Sequence, residues 1–98
     1  MSEIKTIIFS KRAILRLKNI ADFIYKESLS NEITVNYINR LKAYISSMLL
    51  SFPESGRKAD EFGKDVRKLV YQGYSILYQI NLDKERIEIL TIYRENLP

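Results

Sequence analysis

The side chains in this sequence that could do chemistry are those of arginine, lysine and tyrosine. The 98 residues include no histidine and no cysteine, which excludes histidine-dependent catalytic triads, disulfides and thiolate zinc sites. The three glycines are too dispersed to form a glycine-rich phosphate-binding loop. Carboxylate pairs such as Asp60 and Glu61 lie in a predicted loop, where solvated surface charge is the better interpretation. We therefore expect no metal site and no cofactor.

Basic residues and tyrosines lie together on or near the predicted C-terminal strands. Arginine with tyrosine can clamp phosphates and stack on bases, but the same composition is typical of a protein-binding hot spot. For Tyr74 and Tyr78, which share a predicted strand face with isoleucines, core packing and a functional role are equally open. The position of Tyr93 near the end of the last predicted strand favours function. The residues concerned are Arg57, Arg67, Lys68, Arg86, Arg94, Tyr71, Tyr74, Tyr78 and Tyr93.

The composition indicates a small globular protein with an acidic partner. A length of 98 residues predicts one domain over residues 1–98, and a hydrophobic content of 46% argues against disorder. The net charge of +4 favours nucleic acid or a negatively charged protein as the partner. The sequence shows neither a secretory signal nor an apolar run of membrane-spanning length. We expect a cytoplasmic protein that does not contact the membrane.

The elements that position these side chains begin with a strand and two helices. Residues 4–9 are β-branched and apolar and predict a strand. Ser10 supplies an N-cap for a helix from residue 11 to about 28, and a second helix is predicted from 31 to about 50. The short polar break between them predicts an antiparallel hairpin. The predicted apolar faces consist of Ile14, Leu17, Ile20, Ala21 and Ile24, and of Ile38, Leu41, Ile45, Met48 and Leu49 with Tyr37 and Tyr44.

The second half of the sequence predicts a loop and three strands. Pro53 ends the second helix, residues 54–64 form a polar loop, and strands follow over residues 66–71, 74–82 and 86–93. Gln72-Gly73 makes a tight hairpin between the first two. In the last strand Ile87, Ile89 and Thr91 alternate with Glu88, Leu90 and Ile92, so that both faces are largely apolar and the strand is interior. The predicted fold is α+β, with the hairpin packed on a mainly antiparallel sheet of about four strands.

Several motifs follow one another in a distinctive order and spacing. They are the helical run at residues 13–24, FPESGR at 52–57, VRKLV at 66–70, GYSILYQI at 73–80 and IEIL at 87–90. Together they cover nearly the whole chain and resemble the ParE branch of the ParE/RelE superfamily of toxins. The resemblance implies a toxin paired with an antitoxin. ParE-like members are associated with poisoning DNA gyrase, whereas RelE-like members cleave messenger RNA in the ribosomal A site.

Two positions separate these branches and favour a gyrase inhibitor that acts by binding. RelE-like nucleases commonly carry an arginine at the position of Ser75 and a basic tail after the last strand, whereas this chain ends soon after Tyr93-Arg94. It also lacks the histidine with which many ParE members end that strand. The alternatives are a ribosome-dependent endoribonuclease and a non-toxic relic that only binds antitoxin. The target-binding candidates are Arg57, Arg67, Tyr93 and Arg94, and a nuclease would use Tyr93, Arg94 and Arg67.

The resemblance also implies a cognate antitoxin, either ParD-like or another small acidic protein, in a hetero-oligomeric complex. A thin two-layer domain leaves apolar margins exposed, and a disordered partner segment could cover them as a helix or an added strand. We expect antitoxin contacts at Leu15, Phe23 and Tyr44 on the hairpin, and at Arg57 and Arg67 on the sheet.

Overall fold

The computed structural model describes residues 4–94 as one mixed sheet with two helices packed on one of its faces. A 3₁₀ turn, Asp60–Phe62, lies between the second and third strands. The elements in chain order are β1 Thr6–Phe9, α1 Lys11–Ser28, α2 Asn31–Ser51, β2 Arg57–Lys58, β3 Arg67–Tyr71, β4 Tyr74–Asn81 and β5 Arg86–Arg94.

Serine side chains start both helices of the hairpin, as the sequence predicts. Ser10 Oγ accepts a hydrogen bond of 3.0 Å from the Ala13 N–H and donates one of 2.7 Å to the Leu90 carbonyl. Ser30 Oγ accepts one of 3.2 Å from the Ile33 N–H. Each bond satisfies an N–H that has no partner within its helix. The Ser10 hydroxyl also joins the start of α1 to β5.

The helices bury the predicted faces with one exception. In α1 the buried residues are Ala13, Leu17 and Ile20, whereas Ile14 is 57% exposed. The prediction for Ile14 was wrong because the buried stripe is centred on Ala13, whose small side chain allows close approach to the sheet. In α2 the buried residues are Leu41, Ile45 and Leu49, as predicted, together with Thr34. Neither helix is long and apolar enough to cross a membrane, as judged over residues 4–94.

The sheet has five strands in the order β1-β5-β4-β3-β2. β1 pairs parallel with β5, and the other pairs are antiparallel. β5 is interior, as predicted. The strand missed by the sequence is β2, two residues of the predicted loop that pair with Lys68 and Arg67. So short a strand has no periodicity that a sequence pattern could detect.

A β-bulge in β5 changes which side chains share a face. Leu77 pairs with Thr91 and Tyr78 with Ile89, so that Leu90 is the extra residue. Beyond the bulge, Ile92 joins Ile87 and Ile89 in the core beneath the helices. The predicted alternation was therefore wrong after Leu90, because strict period-two alternation assumes an unbroken register.

The two faces of the sheet carry different cores. The main core lies between the sheet and the helices and includes Tyr78 and Ile89; we call this side the helix face. A smaller core of Ala59, Val66 and Leu77 lies on the opposite side, which we call the outer face. Among the described residues, no α-helix covers the outer face, which is partly covered by the segment between β2 and β3.

Candidate functional site

The outer face brings two cations and two aromatic rings together. Arg57 lies directly opposite Lys68 in the β2–β3 ladder, and opposed residues of a ladder point to the same face. Lys68 Nζ lies 6.0 Å from the centroid of the Tyr93 ring, and that ring is 6.2 Å from the ring of Phe62. We call Arg57, Phe62, Lys68 and Tyr93 the outer-face site.

Backbone hydrogen bonds within the segment between β2 and β3 place Phe62 in this site. The Ala59 N–H donates to the Val66 carbonyl at 2.8 Å, and the Phe62 N–H donates to the Ala59 carbonyl at 3.0 Å. Ala59 and Val66 are buried against Leu77, which fixes the segment on the sheet. Phe62 itself is 48% exposed. A partner that binds the outer face can therefore reach an aromatic ring in a fixed position.

Arg57 forms bonds within its own segment. Its Nη2 donates to Glu61 Oε2 at 2.9 Å, and its Nη1 donates to the Lys58 carbonyl at 2.8 Å. The hydrogen bond from Arg57 lowers the pKa of the Glu61 carboxyl below its usual range. Because both partners of this ion pair are solvent-exposed, it contributes little stability. An acidic ligand can replace Glu61 at a small cost.

Arg67 occupies a different environment, at the junction of α2 with the sheet. Its Nη1 donates to the Gly56 carbonyl at 2.7 Å and to the Glu54 carbonyl at 3.2 Å. The Tyr78 hydroxyl donates to the Pro53 carbonyl at 2.8 Å and accepts from the Gly56 N–H at 2.9 Å. We call this network of Pro53, Glu54, Gly56, Arg67 and Tyr78 the loop latch. It fixes the chain between α2 and β2.

The loop latch requires glycine at position 56 because there is no space for a side chain. A Cβ added there would lie 2.8 Å from the Lys68 carbonyl oxygen and 2.8 Å from both Cε1 and the hydroxyl of Tyr78. Two of these neighbours belong to a fully buried side chain and the third to the backbone, so that none can move cheaply. Burial raises the pKa of the Tyr78 hydroxyl.

Arg94 lies at the end of β5 on the helix face, opposite Tyr74. Its guanidinium carbon is 5.1 Å from the centroid of the Phe23 ring and 6.0 Å from that of Tyr74. Tyr37 meets the Tyr74 ring edge-on at 6.3 Å. Burial, followed by the neighbouring Tyr74 and Tyr71, raises the pKa of Tyr37. We call Phe23, Tyr37, Tyr74 and Arg94 the aromatic cluster.

The structure brings only two of the four predicted target-binding residues, Arg57 and Tyr93, to the same face. Arg57 and Tyr93 are on the outer face, Arg67 is in the loop latch, and Arg94 is on the helix face. Tyr93 and Arg94 are separated because successive residues of a strand point to opposite faces. Sequence reasoning grouped Lys68 with the basic residues of the sheet but left it out of the target-binding candidates, and it missed Phe62. Two signals in the sequence could have identified them. Strand alternation places Lys68 on the opposite face of the sheet from Arg67, and Phe62 is an aromatic residue in an otherwise polar loop.

The predicted antitoxin contacts on the hairpin differ in exposure. Leu15 is 58% and Phe23 is 41% exposed, whereas the half-buried Tyr44 stacks on Tyr71 with the ring centroids 4.3 Å apart. An apolar groove of about 430 Å³ runs between the helices and the end of β1. Its walls are formed by Phe9, Ile14, Leu17, Lys18, Ala21, Ile38 and Lys42. Within residues 4–94, no group of three acidic, histidine or cysteine side chains could hold a metal ion.

Comparisons with known proteins place these features in a family. Residues 7–96 match the model of the ParE toxin of the type II toxin–antitoxin system parDE. A chain of the chromosomal ParDE system from P. aeruginosa aligns with a TM-score of 0.75 at 18% identity, covering 95% of this chain and 98% of that one. No curated protein sequence matches significantly.

Two further solved structures share the fold. A chain of the intact E. coli RelBE toxin–antitoxin complex aligns with a TM-score of 0.58 at 15% identity, covering 94% of this chain and 98% of that one. The isolated E. coli RelE toxin aligns with a TM-score of 0.56 at 15% identity, covering 95% and 86%. The predicted α+β architecture is thus confirmed as the fold that these toxins share.

Proposed function

The chain belongs to the ParE toxin family of type II toxin–antitoxin systems, and we propose that it inhibits bacterial DNA gyrase by binding, until a cognate antitoxin neutralises it. On this proposal it acts in the bacterial cytoplasm, and on a plasmid it would serve plasmid stabilisation. The observation that carries the proposal is the separation of Tyr93, Arg94 and Arg67 into three different environments.

This separation matters because ribonuclease chemistry without histidine depends on convergent cations. Several positive groups must surround the phosphate in the transition state, and a further group must protonate the leaving oxygen. Arg67 is already bonded to backbone carbonyls of its own chain, and Arg94 lies on the opposite face from Tyr93. Ser75, at the position where RelE-like nucleases commonly carry an arginine, is fully buried. The arrangement supports binding rather than catalysis.

The outer-face site is the surface that we assign to the target. It combines cations with the half-buried ring of Tyr93 and the exposed ring of Phe62, a composition typical of binding hot spots. The antitoxin is assigned to the hairpin, where Leu15 and Phe23 are exposed and where the apolar groove has Lys18 and Lys42 in its walls. An acidic amphipathic segment suits such a groove. The toxin and antitoxin then form a hetero-oligomer.

A supercoiling assay tests the gyrase proposal. Purified toxin, free of antitoxin, is expected to block supercoiling and to trap cleaved DNA on the enzyme. The double variant Arg57→Gln/Lys68→Gln should require at least about tenfold more protein for the same inhibition, because it removes both cations of the outer-face site. The control Lys26→Gln/Lys84→Gln removes two exposed charges elsewhere and should behave as wild type. Unaffected supercoiling with the wild-type toxin would refute the proposal.

A ribosome-dependent endoribonuclease is the second candidate, favoured by the contact of Lys68 with the Tyr93 ring at 6.0 Å. Primer extension on translated messages after induction would then show discrete in-frame cuts, and Tyr93→Phe with Arg94→Ala would abolish them. A message that stays intact while growth stops excludes this candidate. Growth that continues normally without antitoxin would instead indicate a relic that only binds antitoxin.

A further inference from the structure

Arg94 combines two properties that seldom occur together: its position is defined by contacts, and its hydrogen-bond donors are open. Its guanidinium lies over the rings of Phe23 and Tyr74, while the residue as a whole is exposed. Within the described part of the chain, no salt bridge or hydrogen bond joins the Arg94 side chain to another residue. Stacking uses the face of the guanidinium and leaves the N–H groups at its edge available.

The planar edge of a guanidinium matches a carboxylate, which can accept two parallel hydrogen bonds from it. An arginine held by aromatic rings loses less side-chain entropy on binding than a mobile one. The cluster is therefore prepared for an oxyanion before the ligand arrives. The main question is which molecule supplies that oxyanion.

Two further arginines of α1, Arg12 and Arg16, lie in line with Phe23, whose ring Arg94 contacts. Arg12 and Arg16 precede Phe23 by about three and about two helical turns, so that all three side chains project from nearly the same side of α1. Both arginines are exposed, and within residues 4–94 neither forms a salt bridge with an acidic side chain. Arg12 and Arg16 thus offer two cations about one helical turn apart on the side of α1 that carries Phe23, the ring over which the Arg94 guanidinium lies. We call Arg12, Arg16 and Arg94 the arginine row.

We propose that this row receives an acidic segment of the antitoxin, with one carboxylate bound edge-on by Arg94 and further carboxylates near Arg16 and Arg12. The inference rests on the proposed function, since it assumes that an antitoxin binds this chain. A protein segment fits better than a nucleic acid because Phe23, 41% exposed, lies within the row. An apolar side chain between acidic residues would cover that ring.

On the proposed function, the antitoxin is a small acidic protein encoded beside the toxin gene, and the test measures the affinity of toxin variants for that protein. Arg94→Gln should weaken binding by about 10- to 100-fold, the usual effect of losing a charge-assisted hydrogen bond. Arg94→Lys keeps the charge but loses the planar edge, and should be weakened by at least about fivefold. Lys84→Gln, at an exposed lysine in the turn before β5, is the control and should stay within about twofold of wild type.

A double-mutant cycle identifies the carboxylate. Each Glu or Asp of the antitoxin is changed singly to Gln or Asn and measured against wild-type toxin and Arg94→Gln. One substitution should weaken binding to wild type and have little further effect on Arg94→Gln. Arg94→Gln is expected to keep the wild-type melting temperature, because Arg94 is exposed, so that a lost affinity is not a lost fold.

The outcomes separate this inference from the proposed function. If wild-type toxin does not bind the neighbouring protein, the proposed function fails. If it binds, and Arg94→Gln binds within twofold of wild type, the inference alone is overturned. A random-sequence DNA duplex is the third probe. If Arg94→Gln binds the duplex more weakly than wild type does but binds the antitoxin equally well, the inference is overturned in favour of nucleic acid as the ligand.

Discussion

Arg67 and Arg94 lie on the same face of one sheet, each directly opposite a tyrosine of β4, and yet their environments differ. Arg67 faces Tyr78 across the β3–β4 ladder, and Arg94 faces Tyr74 across the β5–β4 ladder. The Arg67 side chain is only 18% exposed and donates to two carbonyls of its own chain. Arg94 is exposed and stacks on aromatic rings.

The difference arises from the chain beside each arginine. The segment that leaves α2 passes Tyr78 and presents its carbonyls to Arg67, so that the loop latch is closed by the protein itself. Beside Arg94 the neighbouring element is α1, whose backbone carbonyls are used within the helix. Within residues 4–94, α1 therefore presents side chains and no carbonyls to Arg94, and the side chain that Arg94 contacts there is the aromatic ring of Phe23. The same pair of residue types thus stabilises the fold at Tyr78, in the middle of β4, and leaves the Arg94 guanidinium exposed beside Tyr74, where β4 begins.

The largest effect that would test this comparison is expected from Gly56→Ala. The added methyl would lie 2.8 Å from the Lys68 carbonyl oxygen and from Tyr78, which forces the latch open. We expect a loss of about 2–4 kcal/mol in the free energy of unfolding, measured by chemical denaturation. Gly73→Asn is the control, because the space around Gly73 is open and asparagine tolerates its positive φ of 85°. Equal stability of Gly56→Ala and wild type would show that the latch is not closed in solution.

Tyr78→Phe should have the next largest effect. It keeps the ring but leaves the Gly56 N–H without its acceptor and the Pro53 carbonyl without its donor, at a cost of about 1–3 kcal/mol. Tyr25→Phe, at an exposed tyrosine, is the matched control and should change the free energy of unfolding by less than about 0.5 kcal/mol. A similar loss in both variants would contradict a specific role for the Tyr78 hydroxyl.

The two arginines give the direct comparison. Arg67→Gln is expected to lower the free energy of unfolding by about 1–2 kcal/mol, because two backbone carbonyls lose their donor. Arg94→Gln should change it by no more than about 0.5 kcal/mol, since only exposed stacking is lost. Antitoxin affinity should show the opposite order. If the two variants are equally unstable, Arg94 is a structural residue and not an open site.

The sequence was sufficient for most of the fold and for little of the site. Both helices, their serine caps and four of the five strands follow from periodicity, β-branched composition and capping, which are local properties. β2 was missed because two residues have no pattern, and the bulge at Leu90 because nothing in the sequence around it marks an extra residue. Ile14 was misassigned because a one-residue rotation of an apolar stripe still fits the helical period.

The site could not be predicted for a different reason. Arg57, Arg67 and Arg94 look alike in the sequence, and only the partners supplied by distant segments distinguish them. Arg67 is bonded to residues 11 and 13 positions away, and Arg94 contacts Phe23, which lies on the first helix. What a charged side chain does depends on these neighbours, so its residue type and its strand position are insufficient.

The smallest effects concern the tyrosines beside each arginine. Arg67 lowers the pKa of Tyr78 and Arg94 lowers that of Tyr37, although burial dominates and raises both above the ordinary value of 10.0. Arg94→Gln should therefore raise the pKa of Tyr37 further and leave that of Tyr78 unchanged. Arg67→Gln should raise the pKa of Tyr78 further and leave that of Tyr37 unchanged. Titration of ¹³C-labelled tyrosines by NMR resolves the individual groups among the seven tyrosines.

The same shifts determine how stability depends on pH. Because the folded chain holds these protons more tightly than the unfolded chain, the contribution of the two tyrosines to stability is constant below about pH 10 and falls as the pH rises through their raised pKa values. Tyr78→Phe and Tyr37→Phe should each make that alkaline decline shallower. A pKa of Tyr37 that does not respond to Arg94→Gln would mean that the guanidinium leaves the rings in solution, and the prepared site at this end of β4 would be lost. Arg67 has no such freedom, because it is bonded to the backbone carbonyls of Glu54 and Gly56 beside the buried Tyr78. Its lowering of the Tyr78 pKa should therefore persist at every pH at which the chain stays folded.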